Sequence, residues 1–229
     1  MGPVCFPSPL LSPPSTIPSP SHANHQFLPH SLDVFVLTPT LLGPPSLTLT
    51  SPTDLHSTFT ANALAPFFAL KYAPAAMLKT SPRGSYANAA PKDTSYGSII
   101  VVSSVASTYG GCWGPAFTMS CHAALGVVRS GVACLKGTGV RINAVSPGQI
   151  DVGVSLNGNV SGREREDLLR GMNAQLPPSE LQSPEVTRKI VGLERAGVPQ
   201  EVARVVGFLA SGFSSYVTGS NVVVDGGAS

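Results

Sequence analysis

Ser104 is the first residue whose type and place suggest chemistry. It follows an apolar run, Ile99–Val102, and a serine hydroxyl there can donate to a carbonyl or act as an ordinary hydrogen-bonded residue. Tyr109 carries a phenol in the loop just after it, and Cys121 a thiol further on. Cys121 and His122 are adjacent, and neighbours on a helix point about 100° apart, so they do not share a face as metal ligands would. The four cysteines, Cys5, Cys112, Cys121 and Cys134, show no C-x-x-C or Cys/His ligand spacing. They are expected as thiols in a reducing compartment, with no metal site. Gly110-Gly111 lacks the spacing of a phosphate-binding turn, and no T-G-x-x-x-G-x-G occurs anywhere in the 229 residues. A pyrophosphate needs close-approach glycines at a helix N-terminus.

These residues lie in one organised stretch, Gly97 to Asp151. An apolar run ends in Ser103-Ser104, a glycine-rich turn follows, and a segment of helical period leads to a second apolar run, Val140–Val145, that ends in Pro147-Gly148. Strand, helix and parallel strand with small and polar residues at the strand ends make a βαβ crossover. In open α/β sheets the ligand lies at those strand ends.

The stretch resembles the catalytic half of a short-chain dehydrogenase/reductase. In that family a strand ends in serine, Tyr-x-x-x-Lys follows thirteen residues later on a helix, and a later strand ends in Asn-x-Val-x-Pro-Gly. Ser104 takes the serine position and Asn143-Ala144-Val145-Ser146-Pro147-Gly148 the later strand. The tyrosine and lysine positions fall on Phe117 and Cys121, within Phe117-Thr118-Met119-Ser120-Cys121-His122-Ala123. Asn62-Ala63-Leu64-Ala65-Pro66-Phe67 is similar to the family's N-V-x-G-P-F, whose asparagine holds a proton-relay water; spacing alone reads Asn62 as a satisfied helix asparagine. Pro147, Gly148 and Ile150 match the loop that packs on the nicotinamide, with Val152 where the family has a threonine to its carboxamide. The resemblance implies NAD or NADP as cofactor and a ketone or secondary alcohol as substrate, in a setting such as microbial secondary metabolism. Reduction of a ketone leaves an alkoxide that must be protonated as it forms. Phe117 has no transferable proton, and the short, uncharged Cys121 cannot hold a nicotinamide ribose. Loss of the usual activity is therefore expected. A non-catalytic partner of an intact paralogue and a fragment of a longer active enzyme stay open as alternatives. Homo- or hetero-oligomers would form through the helices of Asn62 and Phe117, as the family's do.

The fold implied is α/β, a partial Rossmann-like, doubly wound parallel sheet lacking the first three strands of the family. Residues 1–30 carry eight prolines and no charged side chain, and are expected as a disordered tail. Residues 31–229 then form a truncated short-chain dehydrogenase domain. Leu32–Val36 is a strand candidate resembling the family's fourth strand, but Thr38-Pro39-Thr40 cannot reproduce the asparagine-alanine-glycine that follows it there. Such a strand would leave an uncovered apolar edge, predicting poor solubility alone. Ser51 caps a helix with Pro52 at its first position and Asp54 at the capping-box position, and Pro66 and Pro74 should kink or end parts of it. Residues 81–96 read as a surface loop, and those after Asp151 as a polar lid with a short helix at 163–172. Pro199 starts a helix through Leu209, and Tyr216–Gly219 and Asn221–Gly227 resemble the family's closing turn and last strand.

With 11% charged residues and a formal net charge of +2, nothing points to nucleic acid or an acidic partner. No apolar run reaches the roughly 18 residues of a membrane span. The N-terminus has no basic region and is broken by prolines, so no secretory signal is expected, and the cytoplasm is the expected location.

Overall fold

The computed structural model of the chain describes residues 32–77, 97–110, 113–152 and 184–228, all within one compact unit, Ser31–Ser229. The expected tail, the 81–96 loop and the lid helix lie outside the described residues. Among those described, four strands form a parallel sheet in the order β1 (Val34–Leu37), β2 (Ser98–Val102), β3 (Arg141–Pro147), β4 (Asn221–Val224). The register aligns Phe35 with Ile99 and Ile142, and Val36 with Ile100 and Asn143.

Alternation along the strands sends successive side chains to opposite faces, and each face has its helices. On one, α2 (Ala65–Met77) and α3 (Pro115–Cys134) cover Ile99, Val101, Ile142 and Ala144 through Ala73, Met77, Leu125 and Val128. On the other, α5 (Pro199–Ala210) seats fully buried Leu209 on Ile100 and Val145, beside Val202, Val205 and Val206. The Rossmann-like, doubly wound architecture expected from the sequence is thus what the chain adopts. Each fully buried aliphatic side chain contributes about 1.5–3 kcal/mol relative to exposure.

The first crossover opens with α1 (Pro52–Phe59). Ser51 Oγ accepts from the Asp54 N–H at 3.2 Å and Asp54 Oδ2 accepts from the Ser51 N–H at 2.9 Å, the expected capping box. One π-helical turn, Thr60–Leu64, joins α1 to α2. Pro66 explains it: with no N–H it cannot close the bond to the Asn62 carbonyl, so the ladder widens just before the proline. Pro74, expected to kink or end part of the helix, does not end it. It lies inside α2, which runs on to Met77. The packing of Ala69, Ala73 and Met77 under the sheet holds the helix across the missing donor.

A short helix, α4 (Pro184–Ile190), precedes α5. Arg141 enters from β3 and ties down the far end of α5. Its guanidinium donates to the carbonyls of Leu209 (2.9 Å), Val217 (3.2 Å) and Ser211 (3.4 Å). A cation at a helix C-terminus meets the negative end of the macrodipole. Burial pushes the Arg141 pKa below its ordinary value. Asn143, next on the same face, donates to the Val217 carbonyl at 2.9 Å and accepts from the Ser220 N–H at 3.0 Å, fixing the turn into β4.

Candidate functional site

Ser104 sits just past β2 in extended backbone (φ −155°, ψ 160°), where it caps a 3₁₀ turn, Val105–Ser107. Its Oγ accepts from the Ala106 N–H at 3.2 Å. That turn places Ala106 in one apolar cluster with Phe117 and Cys121 of α3.

The faces of Phe117 and Cys121 do not open to a crevice. Phe117 is 6% exposed and Cys121 3%. They form a separate apolar cluster with Ala106, over which Leu42 and Trp113 pack. Neither Leu42 nor Trp113 stood out in the sequence as a site residue. The segment carrying Leu42 leaves the end of β1 and crosses to the start of α1, and it is held at several points. Trp113 Nε1 donates to the Gly43 carbonyl at 2.9 Å. Gly43 (φ +68°) and Gly114 (φ +96°) take backbone conformations that favour glycine. A Cβ on Gly114 would stand 2.6 Å from the Pro45 carbonyl oxygen.

Asn62, in the π turn and 3% exposed, grips the same segment. Its Oδ1 accepts from the Leu41 N–H at 2.8 Å, and its Nδ2 donates to the Leu41 carbonyl at 2.8 Å and to Ser120 Oγ at 2.9 Å. Ser120 Oγ in turn donates to the Phe117 carbonyl at 2.9 Å. The carboxamide is therefore engaged at both ends by the protein itself, and it connects the segment to the helix of Phe117. Tyr109 is 42% exposed in the loop beyond the 3₁₀ turn.

Pro147 closes β3 in register with Val224, and Gly148, Ile150 and Val152 follow it toward β4 and the approach to α5. Gly148 N–H donates to the Val224 carbonyl at 3.0 Å, and a Cβ on Gly148 would lie 2.5 Å from that of Asp225. Ile150 makes a parallel bridge with Gly197, and Val152 is 49% exposed. A small cavity of about 270 Å³ lies there, lined by Gln149, Ile150, Arg195, Glu201 and Asp225 among others. Arg195 and Glu201 pair at 2.7 Å, and that bond with the Val198 N–H holds the Glu201 carboxyl down at about 2. Sequence reasoning also passed over a polar trio at the strand ends. Ser107 and Ser146 hydroxyls lie 3.0 Å apart, Ser146 Oγ donates to Asn221 Oδ1 at 2.6 Å, and Asn221 Nδ2 reaches Ser107 Oγ at 3.4 Å. Ser146 stands near the close of β3, Ser107 in the 3₁₀ turn and Asn221 at the start of β4, a scatter along the chain that left no spacing to read. No group of three metal-capable side chains occurs among the described residues.

Comparison with known proteins settles the lineage. The family model described as enoyl-(acyl carrier protein) reductase matches residues 22–229. The chain belongs to the short-chain dehydrogenase/reductase family. It is 30% identical over 166 residues to short-chain dehydrogenase fogB of Aspergillus ruber, covering 72% of this chain and 54% of that protein. To (+)-borneol dehydrogenase 2 of Salvia officinalis it is 37% identical over 132 residues, 57% of this chain and 43% of the relative. The aldohexose dehydrogenase of Thermoplasma acidophilum superposes with a TM-score of 0.63 at 26% identity, covering 86% of this chain and 68% of that structure. The structure of ElxO with NADP bound gives 0.62 at 25% identity, 86% and 67%. The chain spans about half the length of the curated relatives it matches.

The nicotinamide end of the family's cofactor meets a poor fit in these residues. The position from which a lysine would reach a ribose is a buried thiol, and the proton-donor position is a buried phenyl ring.

Proposed function

We propose that this chain is a catalytically silent short-chain dehydrogenase/reductase, descended from NAD(P)-dependent oxidoreductases of ketones and secondary alcohols. The observation that carries the reading is the burial of Phe117 and Cys121 in one apolar cluster under Leu42 and Trp113. An alkoxide forming at this site would find no proton donor at position 117 and no cation at 121 to lower a neighbour's pKa. Ser104 Oγ faces its own turn through the Ala106 N–H. A cytoplasmic protein of secondary metabolism, without nucleic-acid partners, fits this reading. Among the described residues no helix is long and apolar enough to cross a membrane.

The test is a calorimetric and fluorescence titration of the protein with NADPH and NADH, followed by turnover assays on ketones and secondary alcohols. The expected result is no saturable binding below about 1 mM and no turnover; a micromolar dissociation constant, near −8 kcal/mol, would overturn the reading.

A second role is favoured by the outer faces of α2 and α3. Phe67 (46% exposed), Phe68 (46%), Tyr72 (62%) and Met119 (51%) leave an apolar surface there. A patch of this kind marks an association site. On this reading the chain is an interaction protein that pairs with itself or with an intact paralogue. Sedimentation of the wild type against Phe68→Asp/Tyr72→Asp tests it: a dimer lost in the variant is expected, and a wild-type monomer that captures no paralogue removes the idea.

A further inference from the structure

We infer that Leu41–Pro45 is a strap that seals the crevice at the strand ends, so that the positions of the lost proton donor and its partner are closed to solutes as well as chemically inert. Ligands of open α/β sheets enter at the carboxyl ends of the strands, and the strap follows three residues after the end of β1 and packs through Leu42 on Ala106 of the turn after β2. Three separate attachments hold it. Asn62 binds both the N–H and the carbonyl of Leu41 at 2.8 Å. Trp113 Nε1 binds the Gly43 carbonyl at 2.9 Å. Gly114 lets the backbone of Pro45 approach to where any side chain would collide. Beneath them Leu42 and the Trp113 ring pack on Ala106, Phe117 and Cys121.

The cost accepted at Trp113 supports the strap as a specified closure. Its φ of +55° is a left-handed conformation that a bulky residue rarely adopts. Strain of this kind persists only where surrounding contacts over-determine it, and here the indole meets both its hydrogen-bond acceptor and the apolar cluster. The underside of the strap is matched to what it covers. A phenol at 117 and an ammonium at 121 would each need water or a ligand, whereas a phenyl ring and a thiol accept Leu42. The strap therefore rests on reading 117 and 121 as silent positions, and it adds that access is lost with the chemistry.

Thiol labelling tests the strap separately from catalysis, since cofactor titration reads the second and not the first. In the full chain with Cys5, Cys112 and Cys134 replaced by serine, Cys121 is labelled with a small aromatic disulfide. A companion variant keeping Cys134 alone, a residue exposed on α3, gives the rate for an open thiol. Cys121 is expected to react at least about 100-fold more slowly than Cys134. Leu42→Ala, and Trp113→Phe as a milder variant that keeps the ring and loses the Gly43 bond, are each expected to speed Cys121. For Leu42→Ala the gain is about tenfold or more, equivalent to ~1.4 kcal/mol of easier opening. Val205→Ala weakens the opposite face of the sheet and controls for general loosening. Wild-type Cys121 reacting as fast as Cys134 would overturn the proposal. So would a Leu42→Ala rate equal to that of wild type, or Val205→Ala matching Leu42→Ala.

Discussion

Reinstating the family's tyrosine and lysine should destabilise this protein and leave it without activity. Phe117→Tyr adds a hydroxyl to a ring that is 6% exposed, among Ala106, Leu42 and Trp113, none of whose side chains can accept it. A buried polar group without a partner costs about 1–3 kcal/mol. Cys121→Lys is harsher, because it puts a longer side chain and a charge where the residue is 3% exposed. Overpacking costs about 1–3 kcal/mol, and an unpaired buried ammonium adds several more unless it deprotonates or the strap opens. The double variant thus loses on the order of 5 kcal/mol, out of the 5–15 kcal/mol typical of a domain. With a urea m-value of about 2 kcal/mol/M, the unfolding midpoint should fall by about 2 M or the variant should fail to fold. Urea titrations followed by the fluorescence of Trp113, the single tryptophan of the chain, would measure it beside Phe117→Tyr alone. A double variant with an unchanged midpoint would refute the burial argument, and one that also oxidised NADPH against a ketone would refute the silent reading with it.

Three other outcomes follow from the same contacts. Asn62→Ala removes the partners of both Leu41 backbone groups and of Ser120 Oγ, and should cost about 2–3 kcal/mol in urea, with Asn62→Asp, which keeps only the acceptor, in between. Gly114→Ala places a Cβ 2.6 Å from the Pro45 carbonyl at a positive φ, so a loss of about 2 kcal/mol or more is expected, against little change for Gly126→Ala, where nothing lies within 4 Å. The Glu201 carboxyl is held at about 2, below its ordinary 4.5, chiefly by the hydrogen bond from Arg195. A depressed carboxylate stabilises the fold above the unfolded value and loses that contribution as pH falls through the folded one. Glu201→Gln should therefore melt lower than wild type at pH 6, and the difference should shrink from about pH 4.5 and vanish near pH 2 in a thermal scan; Arg195 is exposed and Glu201 only partly covered, so the gap is small and salt-sensitive.

The parts of the fold that were legible in the sequence are those built from local periodicity. Ile99–Val102, the helix containing Phe117 and the run ending at Pro147 all form near where their apolar spacing places them, because the strand and helix periods decide which face is buried. The capping box at Ser51 and the start of α5 at Pro199 were equally local. That Pro74 does not end α2 was harder to read, because the loss of one donor is a local cost, while Ala73 and Met77 beside it pack into the core under the sheet. The strap was illegible for a related reason. Thr38–Thr50 has no period, and what orders it are single bonds to residues 21 and 70 positions away.

The same distinction explains why the site could be located but not described from sequence. Motif spacing puts Ser104, Phe117 and Cys121 at the end of one βαβ unit, and Phe117 and Cys121 share a cluster with Ala106, two residues past Ser104. What occupies the space above them depends on Leu42, which precedes that unit in the chain, and Trp113, which lies in the loop between β2 and α3, and neither carries a chemical signature. In an intact family site the side chains at 117 and 121 would be polar and would keep water or ligand in that space. Once both are compact and apolar, the favourable arrangement is to exclude water and bring the nearest apolar side chains down, since each buried methylene contributes about 0.8 kcal/mol. On the proposed reading, a phenyl ring and a thiol at 117 and 121 leave no polar group to hold the crevice open, and the closed strap makes a charge at position 121 costly to introduce.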